Sequence, residues 1–275
     1  MNKTKIEWVL NPDGTQGYTW NPITGCLNGC PYCYARKLAN GRLKKRYLAN
    51  ENIAMYPNAN WFRGSHEEQR RLLDPFYPRF WEDRLMQLDR HNIRKAIGVF
   101  VCDMSDLFGI GIPEDWTRRI LNKIGQGGYE EHRFYLLTKQ PQNLYKLSPF
   151  PDNCWVGVTV CNDKMLDVAV DKLEDIKAIH KFISCEPLLK RLTLSLDYTF
   201  YYSGVDWVII GAQTKPAKFP RIEWVEEIVR ACDKANIPVF LKDNLKPILP
   251  EEVPFYDVID EDPMLTPTLR QEMPK

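Results

Sequence analysis

Six short apolar stretches, spread over the last two thirds of the chain, limit its fold more than any other feature. They are Ala96–Cys102, Phe134–Thr138, Trp155–Val160, Lys181–Ser184, Trp207–Gly211 and Val239–Leu241. They run on without apolar–polar alternation, which is the pattern of strands buried on both faces, as in parallel sheets. Between them the sequence predicts helices over Glu114–Ile124, Gln142–Leu147, Lys164–Ile176 and Glu223–Ala235. Pro113 suits the first turn of one helix, and Pro238 closes the last. Strand alternating with helix at this spacing means repeated βα units. A further strand at Tyr18–Asn21 brings the count to about seven, short of the eight of a closed barrel. Residues 40–94 break the rhythm as an insertion, with a helix expected near Phe80–Asp89. The Pro- and acid-rich tail, 247–275, is expected to wrap the surface without forming another βα unit. At 275 residues and 44% hydrophobic, the chain can bury one substantial core, and it reads as a single domain over 1–275.

Cys26-Leu27-Asn28-Gly29-Cys30-Pro31-Tyr32-Cys33 places three cysteines within eight residues, spaced C-x3-C-x2-C. Three thiolates on one loop can hold three irons of a [4Fe–4S] cluster and leave the fourth iron open to a small molecule. Zinc is the competing reading, and it requires a lone distant fourth ligand. No second cysteine pair exists, and Cys102, Cys154, Cys161, Cys185 and Cys232 are scattered singly. A disulfide framework belongs to small secreted domains, whereas the N-terminus here is polar and lacks an apolar signal core. With no run of about 18 apolar residues, the expectation is a soluble cytoplasmic protein with no membrane contact.

In parallel βα folds the active site lies at the carboxyl ends of the strands. Those positions hold the cysteine loop itself, then Asp103, Ser105 and Asp106, then Thr138 and Lys139. Thr159 and Cys161 follow, then Cys185 and Glu186, then Gln213 and Lys215, and finally Lys242, Asp243 and Asn244. Polar groups beside a core cost free energy unless satisfied, so their convergence on one rim points to a site. Asp106 and Asp163 are alternatively helix caps, and Glu186 is alternatively the salt-bridge partner of Lys242.

Over most of residues 5–245 the chain resembles the radical S-adenosylmethionine (radical SAM) superfamily, and more closely a phage-associated group of radical SAM-like proteins of unknown function. More distantly it resembles the spore photoproduct lyases. The segments that carry this include Lys5-Ile6-Glu7-Trp8, Thr19–Cys26, Cys30–Ala35, Phe100–Phe108, Leu137–Pro141, Ser184–Leu189, Trp207–Gln213 and Phe240–Asn244. The resemblance implies a partial TIM-type (βα)6 barrel, with Cys26, Cys30 and Cys33 as ligands of a [4Fe–4S] cluster. It also implies SAM as cofactor, with the backbone at Tyr32 near the adenine. The superfamily's Gly-Gly-Glu-type motif is absent, and Asp103, Ser105 or Asp106 would take its place. Lys139 would meet the SAM carboxylate, and Thr159 and Glu186 the ribose hydroxyls, with Gln213 and Lys242 also on the cofactor-binding rim. Cys161 or Cys185 would return a hydrogen atom to a product radical; a buried single cysteine is otherwise a small core residue. Such an enzyme also needs a reducing partner such as a flavodoxin or ferredoxin.

Three readings of the substrate remain open. Residues 36–95 carry fourteen Lys and Arg against seven Asp and Glu, while the rest of the chain is mildly acidic. Arg42, Lys44, Lys45, Arg46, Arg63, Arg70 and Arg71 would meet phosphates, and Trp61 or Tyr56 would stack on bases. That favours a nucleic acid or nucleobase, although a basic run also occurs on plain solvated helices. Modification of a peptide or protein is the second reading, weakened by the lack of further cysteine motifs after Cys33. The third is a non-catalytic protein whose cysteine loop holds a structural iron–sulfur or zinc centre.

Overall fold

The computed structural model describes residues 1–54, 66–90, 95–193, 195–252, 254–257 and 268–274. Tyr56, Trp61 and Arg63 lie outside the described residues. The chain divides into two compact units, Met1–Lys5 with Val9–Cys154, and Ile6–Trp8 with Trp155–Lys275.

The strands of the first unit are β1 (Asn2–Lys3), β2 (Tyr18–Trp20), β3 (Ile23–Thr24), β4 (Arg79–Phe80), β5 (Gly98–Val101) and β6 (Arg133–Thr138). Its helices are α1 (Tyr34–Asn40), α2 (Lys44–Leu48), α3 (His66–Leu73), α4 (Glu82–Leu85), α5 (Gln87–Arg90) and α6 (Glu114–Ile124). β2, β5 and β6 pair in parallel, with Trp20 beside Val101 and Val101 beside Leu136. β1 adds a short antiparallel edge to β2. Every residue of β5 is buried, as its unbroken apolar run requires. The backbone at Leu10 comes so close that a Cβ on Gly98 would fall 2.0 Å from its carbonyl oxygen. α6 carries Glu114 and Asp115 in its first turn and ends at Gly125, which complements the helix dipole.

Two expected helices differ. The segment near Phe80–Asp89 begins as β4, because Phe80 pairs with Ile23 and Trp81 N–H donates to the Pro22 carbonyl at 2.8 Å. Only the short α4 and α5 follow. The stretch from Pro141 to Leu147 is a 3₁₀ helix, the tighter form that suits a brief connection.

The second unit contains β7 (Cys154–Thr159), β8 (His180–Cys185), β9 (Trp207–Ile210), β10 (Gln213–Thr214), β11 (Ala217–Lys218), β12 (Val239–Leu241), β13 (Tyr256–Asp257) and β14 (Thr268–Leu269). Its helices are α7 (Asp163–Glu174), α8 (Leu196–Tyr202) and α9 (Ile222–Ala235). β7, β8, β9 and β12 pair in that order, all parallel. An aromatic cluster fills one face. Phe182 lies 5.5 Å from Trp207 and 6.0 Å from Trp8, and Trp155 meets Trp207 at 5.7 Å, ring centre to ring centre. Gly157 makes room for it, since a Cβ there would come within 2.3 Å of the Phe182 ring. Asn162, not Asp163, caps α7, accepting from the Met165 N–H at 3.1 Å. Asp163 instead accepts from the backbone and hydroxyl of Thr193. α9 stops at Asn236, whose left-handed φ of 55° is one that asparagine tolerates. Each unit is thus an α/β assembly on parallel strands, and all seven strands expected from sequence are present.

Candidate functional site

In the first unit, parallel pairing sends the carboxyl ends of β2, β5 and β6 to one edge. The cysteine loop leaves from β2 and β3. It turns at Gly25, whose φ is +87°, where a Cβ would fall 2.4 Å from the Tyr77 carbonyl oxygen. Cys26, Cys30 and Cys33 are all partly exposed, whereas Cys102, Cys154, Cys161, Cys185 and Cys232 are all buried. Two of the loop sulfurs accept backbone N–H bonds, Cys26 from Asn28 at 3.4 Å and Cys33 from Arg36 at 3.3 Å. Cys33 is also the N-cap of α1. Burial pushes the Cys26 thiol up to about 12, and the Asp106 carboxylate adds to that. Among the described residues, no three His, Cys, Asp or Glu side chains converge on a point suited to one metal ion.

The segment after β5 is tied to this loop. Cys102 takes a left-handed φ of 62° and swings Asp103 to Asp106 back over the cysteines. Asp103 accepts from Asn21 Nδ2 at 2.5 Å, and the Tyr34 hydroxyl donates to its main-chain oxygen at 2.7 Å. Burial raises the Asp103 carboxyl above its ordinary value. The Ser105 hydroxyl donates to the Gly25 carbonyl at 2.5 Å. Asp106 accepts from Asn28 Nδ2 and the Thr138 hydroxyl, each at 2.7 Å, and from the Lys139 N–H at 2.9 Å. Asp106 is therefore a brace and not the α6 cap; α6 follows Pro113 without a side-chain cap. Tyr32 and Lys139 are half-buried beside these groups in sequence.

A second polar group stands at the strand ends of the second unit. Glu186, just past β8, pairs closely with Lys242, just past β12. Glu7 Oε2 lies 3.8 Å from the same Lys242 ammonium. Gly211 leaves the space: a Cβ there would lie 2.9 Å from Lys242 Cδ and 3.3 Å from Glu186 Cγ. Burial raises the Glu7 carboxyl, Lys242 pulls it down, and Asp243 and Glu186 push it up again. Asn244 pins the end of β9 by two bonds to the Ala212 backbone, 3.0 and 2.9 Å. Thr159 sits opposite Ser184 in the β7–β8 register, and the buried Ser184 hydroxyl has no hydrogen-bond partner among the described residues. Alternation along β8 puts Cys185 on the opposite face from Ser184, where Cys232 of α9 is an electrostatic neighbour. Cys185 is fully buried and Cys161 nearly so. Gln213 is turned into the β10–β11 hairpin, donating to the Pro216 carbonyl at 2.7 Å.

Of the basic residues, Arg42, Lys44, Lys45 and Arg46 are exposed on and just before α2, and make no ion pair among the described residues. Arg70 is exposed on α3, and Arg71 lies over the Tyr77 ring, 5.5 Å from its centre. Sequence reasoning missed the Asn28, Glu7 and Ser184 side chains. Asn28 lies between two cysteines, and Glu7 lies in the stretch Lys5-Ile6-Glu7-Trp8, but their partners are visible only in three dimensions.

The family described as "Protein of unknown function (DUF5131)" matches residues 3–246. That description carries no phage association. No curated protein matches the chain. The structure of spore photoproduct lyase complexed with dinucleoside spore photoproduct is similar, with a TM-score of 0.53 and 12% identity over 87% of this chain and 78% of that one. A point variant of the same lyase has a TM-score of 0.49, 12% identity and the same coverage. At this identity the likeness is one of fold.

Proposed function

We propose that this chain, which belongs to the DUF5131 family, is a radical SAM enzyme acting on a nucleic acid or nucleobase. The observation that carries this is the cysteine loop. Its three thiols are the partly exposed ones, while the other five are buried. Backbone N–H groups point at two of the three sulfurs, as suits thiolates that must carry negative charge. A [4Fe–4S] cluster takes each thiolate on a different iron, so its ligands need not converge on one point. The donor set fits that group better than it fits a single zinc ion, for which no three such side chains converge among the described residues.

When bound, the cluster and SAM supply one-electron cleavage of a sulfonium C–S bond and abstraction of hydrogen from a substrate. The protein's part is to hold, orient and shield. Cys26, Cys30 and Cys33 are the ligands. Lys139 is assigned to the SAM carboxylate, and Tyr32 to the adenine. Thr159, Glu186 and Lys242 are assigned to hydroxyl groups of SAM or of the substrate, with Gln213 at the margin. Asp103, Ser105 and Asp106 serve the cofactor mainly through the loop they brace. Cys161 and Cys185 are the candidate hydrogen donors; both are buried, and Cys185 has Cys161 and Cys232 as electrostatic neighbours. The fold reading that goes with this is one domain built as a partial (βα)6 barrel. A flavodoxin or ferredoxin would deliver the electron.

The nucleic-acid part rests on the exposed cations Arg42, Lys44, Lys45 and Arg46, which make no ion pair among the described residues and follow the cysteine loop by one short helix. The similar lyase structure is complexed with a dinucleoside spore photoproduct, which agrees with that class. Electron paramagnetic resonance on anaerobically reconstituted, dithionite-reduced protein tests the whole reading. The expected result is a reduced [4Fe–4S] signal that changes when SAM is added. A signal indifferent to SAM, or stoichiometric zinc in place of iron, overturns it.

A further inference from the structure

We propose that Asp106 is a positioning residue for the cluster, acting through Asn28; this rests on the cluster reading above. Asp106 is 5% exposed, and its carboxylate accepts four hydrogen bonds. Three come from the framework: the Thr138 hydroxyl at 2.7 Å, the Lys139 N–H at 2.9 Å and the Phe108 N–H at 3.1 Å. They lock the carboxylate in place. The fourth, from Asn28 Nδ2 at 2.7 Å, is the one that reaches into the cysteine loop. Asn28 Oδ1 is held in turn by Gln140 Nε2 at 3.2 Å and the Ile110 N–H at 3.4 Å.

Asn28 is therefore clasped by its side chain while its own backbone N–H points at Cys26 Sγ, 3.4 Å away. Gly29, the next residue, has a φ of +70° and nothing within 4 Å of where a Cβ would stand. The clasp thus sets both the shape of the loop between Cys26 and Cys30 and the aim of one N–H···S bond. Such bonds, with net charge and solvent exposure, set the potential of an iron–sulfur cluster. Outer-shell partners of this kind commonly change metal retention by about 10–100-fold.

The experiment compares wild type, Asn28→Ala, Asp106→Asn and the exchange variant Asn28→Asp/Asp106→Asn. The readouts are iron release to a chelator and the cluster's midpoint potential, with circular dichroism melts as the check on folding. Asn28→Ala keeps the Asp106 charge and its three framework bonds. It should release iron roughly tenfold faster and shift the potential to a more negative value, because the backbone N–H at position 28, which alanine keeps, is no longer held in aim at Cys26 Sγ. Asp106→Asn turns an amide NH₂ toward the Asn28 NH₂ and should also release iron faster. The exchange variant restores a donor opposite an acceptor at position 28 but leaves the same NH₂ facing the Lys139 N–H, so it should retain iron better than Asp106→Asn without reaching wild type. Wild-type retention and potential in Asn28→Ala overturn the proposal, even if Asp106→Asn fails to fold. So does an exchange variant that releases iron as fast as Asp106→Asn. Failure of the cluster reading itself shows on wild type, as an absence of bound iron and sulfide.

Discussion

Two residues depart from what their type prefers, and both departures build the strand-end rims. Cys102 is left-handed without being glycine, a conformation that costs of order 1–3 kcal/mol unless its surroundings enforce it. They do: its N–H donates to the Trp20 carbonyl at 2.7 Å, and its carbonyl accepts from the Ser105 N–H at 2.8 Å. Glu7 is the other, a half-buried acid that shares one lysine with Glu186. Its carboxyl is raised above the ordinary 4.5, chiefly by burial, so the folded protein holds that proton more tightly than the unfolded chain. The stability this contributes is full below the ordinary value and is lost as pH rises through the raised one. Ionised Glu7 therefore weighs against the fold at neutral pH. Glu7→Gln should melt higher relative to wild type at pH 7 than at pH 4. Thermal melts across that range check it; a difference that does not vary with pH would mean that Glu7 does not titrate as its surroundings dictate.

At the scale of elements, α1 and α2 join the cysteine loop to an exposed cationic surface. From Tyr34 to Asn50 there are six basic residues and no acid. Nothing among the described residues neutralises the four on and just before α2. A duplex contact by four cations contributes about 0.9 per cation to the slope of log K against log salt, and a single-strand contact about 0.7. Replacing Arg42, Lys44, Lys45 and Arg46 by alanine should therefore flatten that slope by roughly 3 for an oligonucleotide, which anisotropy titrations at several salt concentrations measure. An unchanged slope would move the nucleic-acid contact elsewhere. These charges were legible in the sequence because charge needs no partner to be read. The parallel strands were legible for a related reason: burial on both faces leaves an unbroken apolar run. α8 was not. Its sequence, Leu196-Asp197-Tyr198-Thr199-Phe200-Tyr201-Tyr202, is mostly aromatic, and it is helical because it packs on α9. The Asp106 brace and the sharing of Lys242 by Glu7 and Glu186 were equally hidden, since each joins residues far apart in the chain.

At the scale of the whole molecule, the C-terminal tail closes an exposed sheet edge. β12 pairs with β9 on one side, and its other side would present free N–H and C=O groups, a template for association with other chains. The last described residues cover it. Leu241 N–H donates to the Arg270 carbonyl at 2.8 Å, and Glu272 N–H to the Val239 carbonyl at 3.0 Å. The Glu272 side chain accepts from the Val239 N–H at 2.7 Å, and its carbonyl accepts from the Trp207 indole at 2.9 Å. Arg270 anchors the segment to Asp233 of α9 at 2.9 Å. The proline-rich stretch read as a surface wrap thus ends in a structural strap on the strand beside the aromatic cluster. Each of these four bonds is worth about 1 kcal/mol net, and an indole or amide left buried without a partner costs about 1–3 kcal/mol. Ending the chain after Asp257 should accordingly lower stability by several kcal/mol, on the order of the four bonds together. It should also make the protein associate as its concentration rises, through the uncovered β12 edge. Urea unfolding and light scattering across a concentration series measure the two effects separately. Lost stability without association would make the strap a packing element only, and a truncated chain as stable and monodisperse as the full one would remove the strap from the account of this fold.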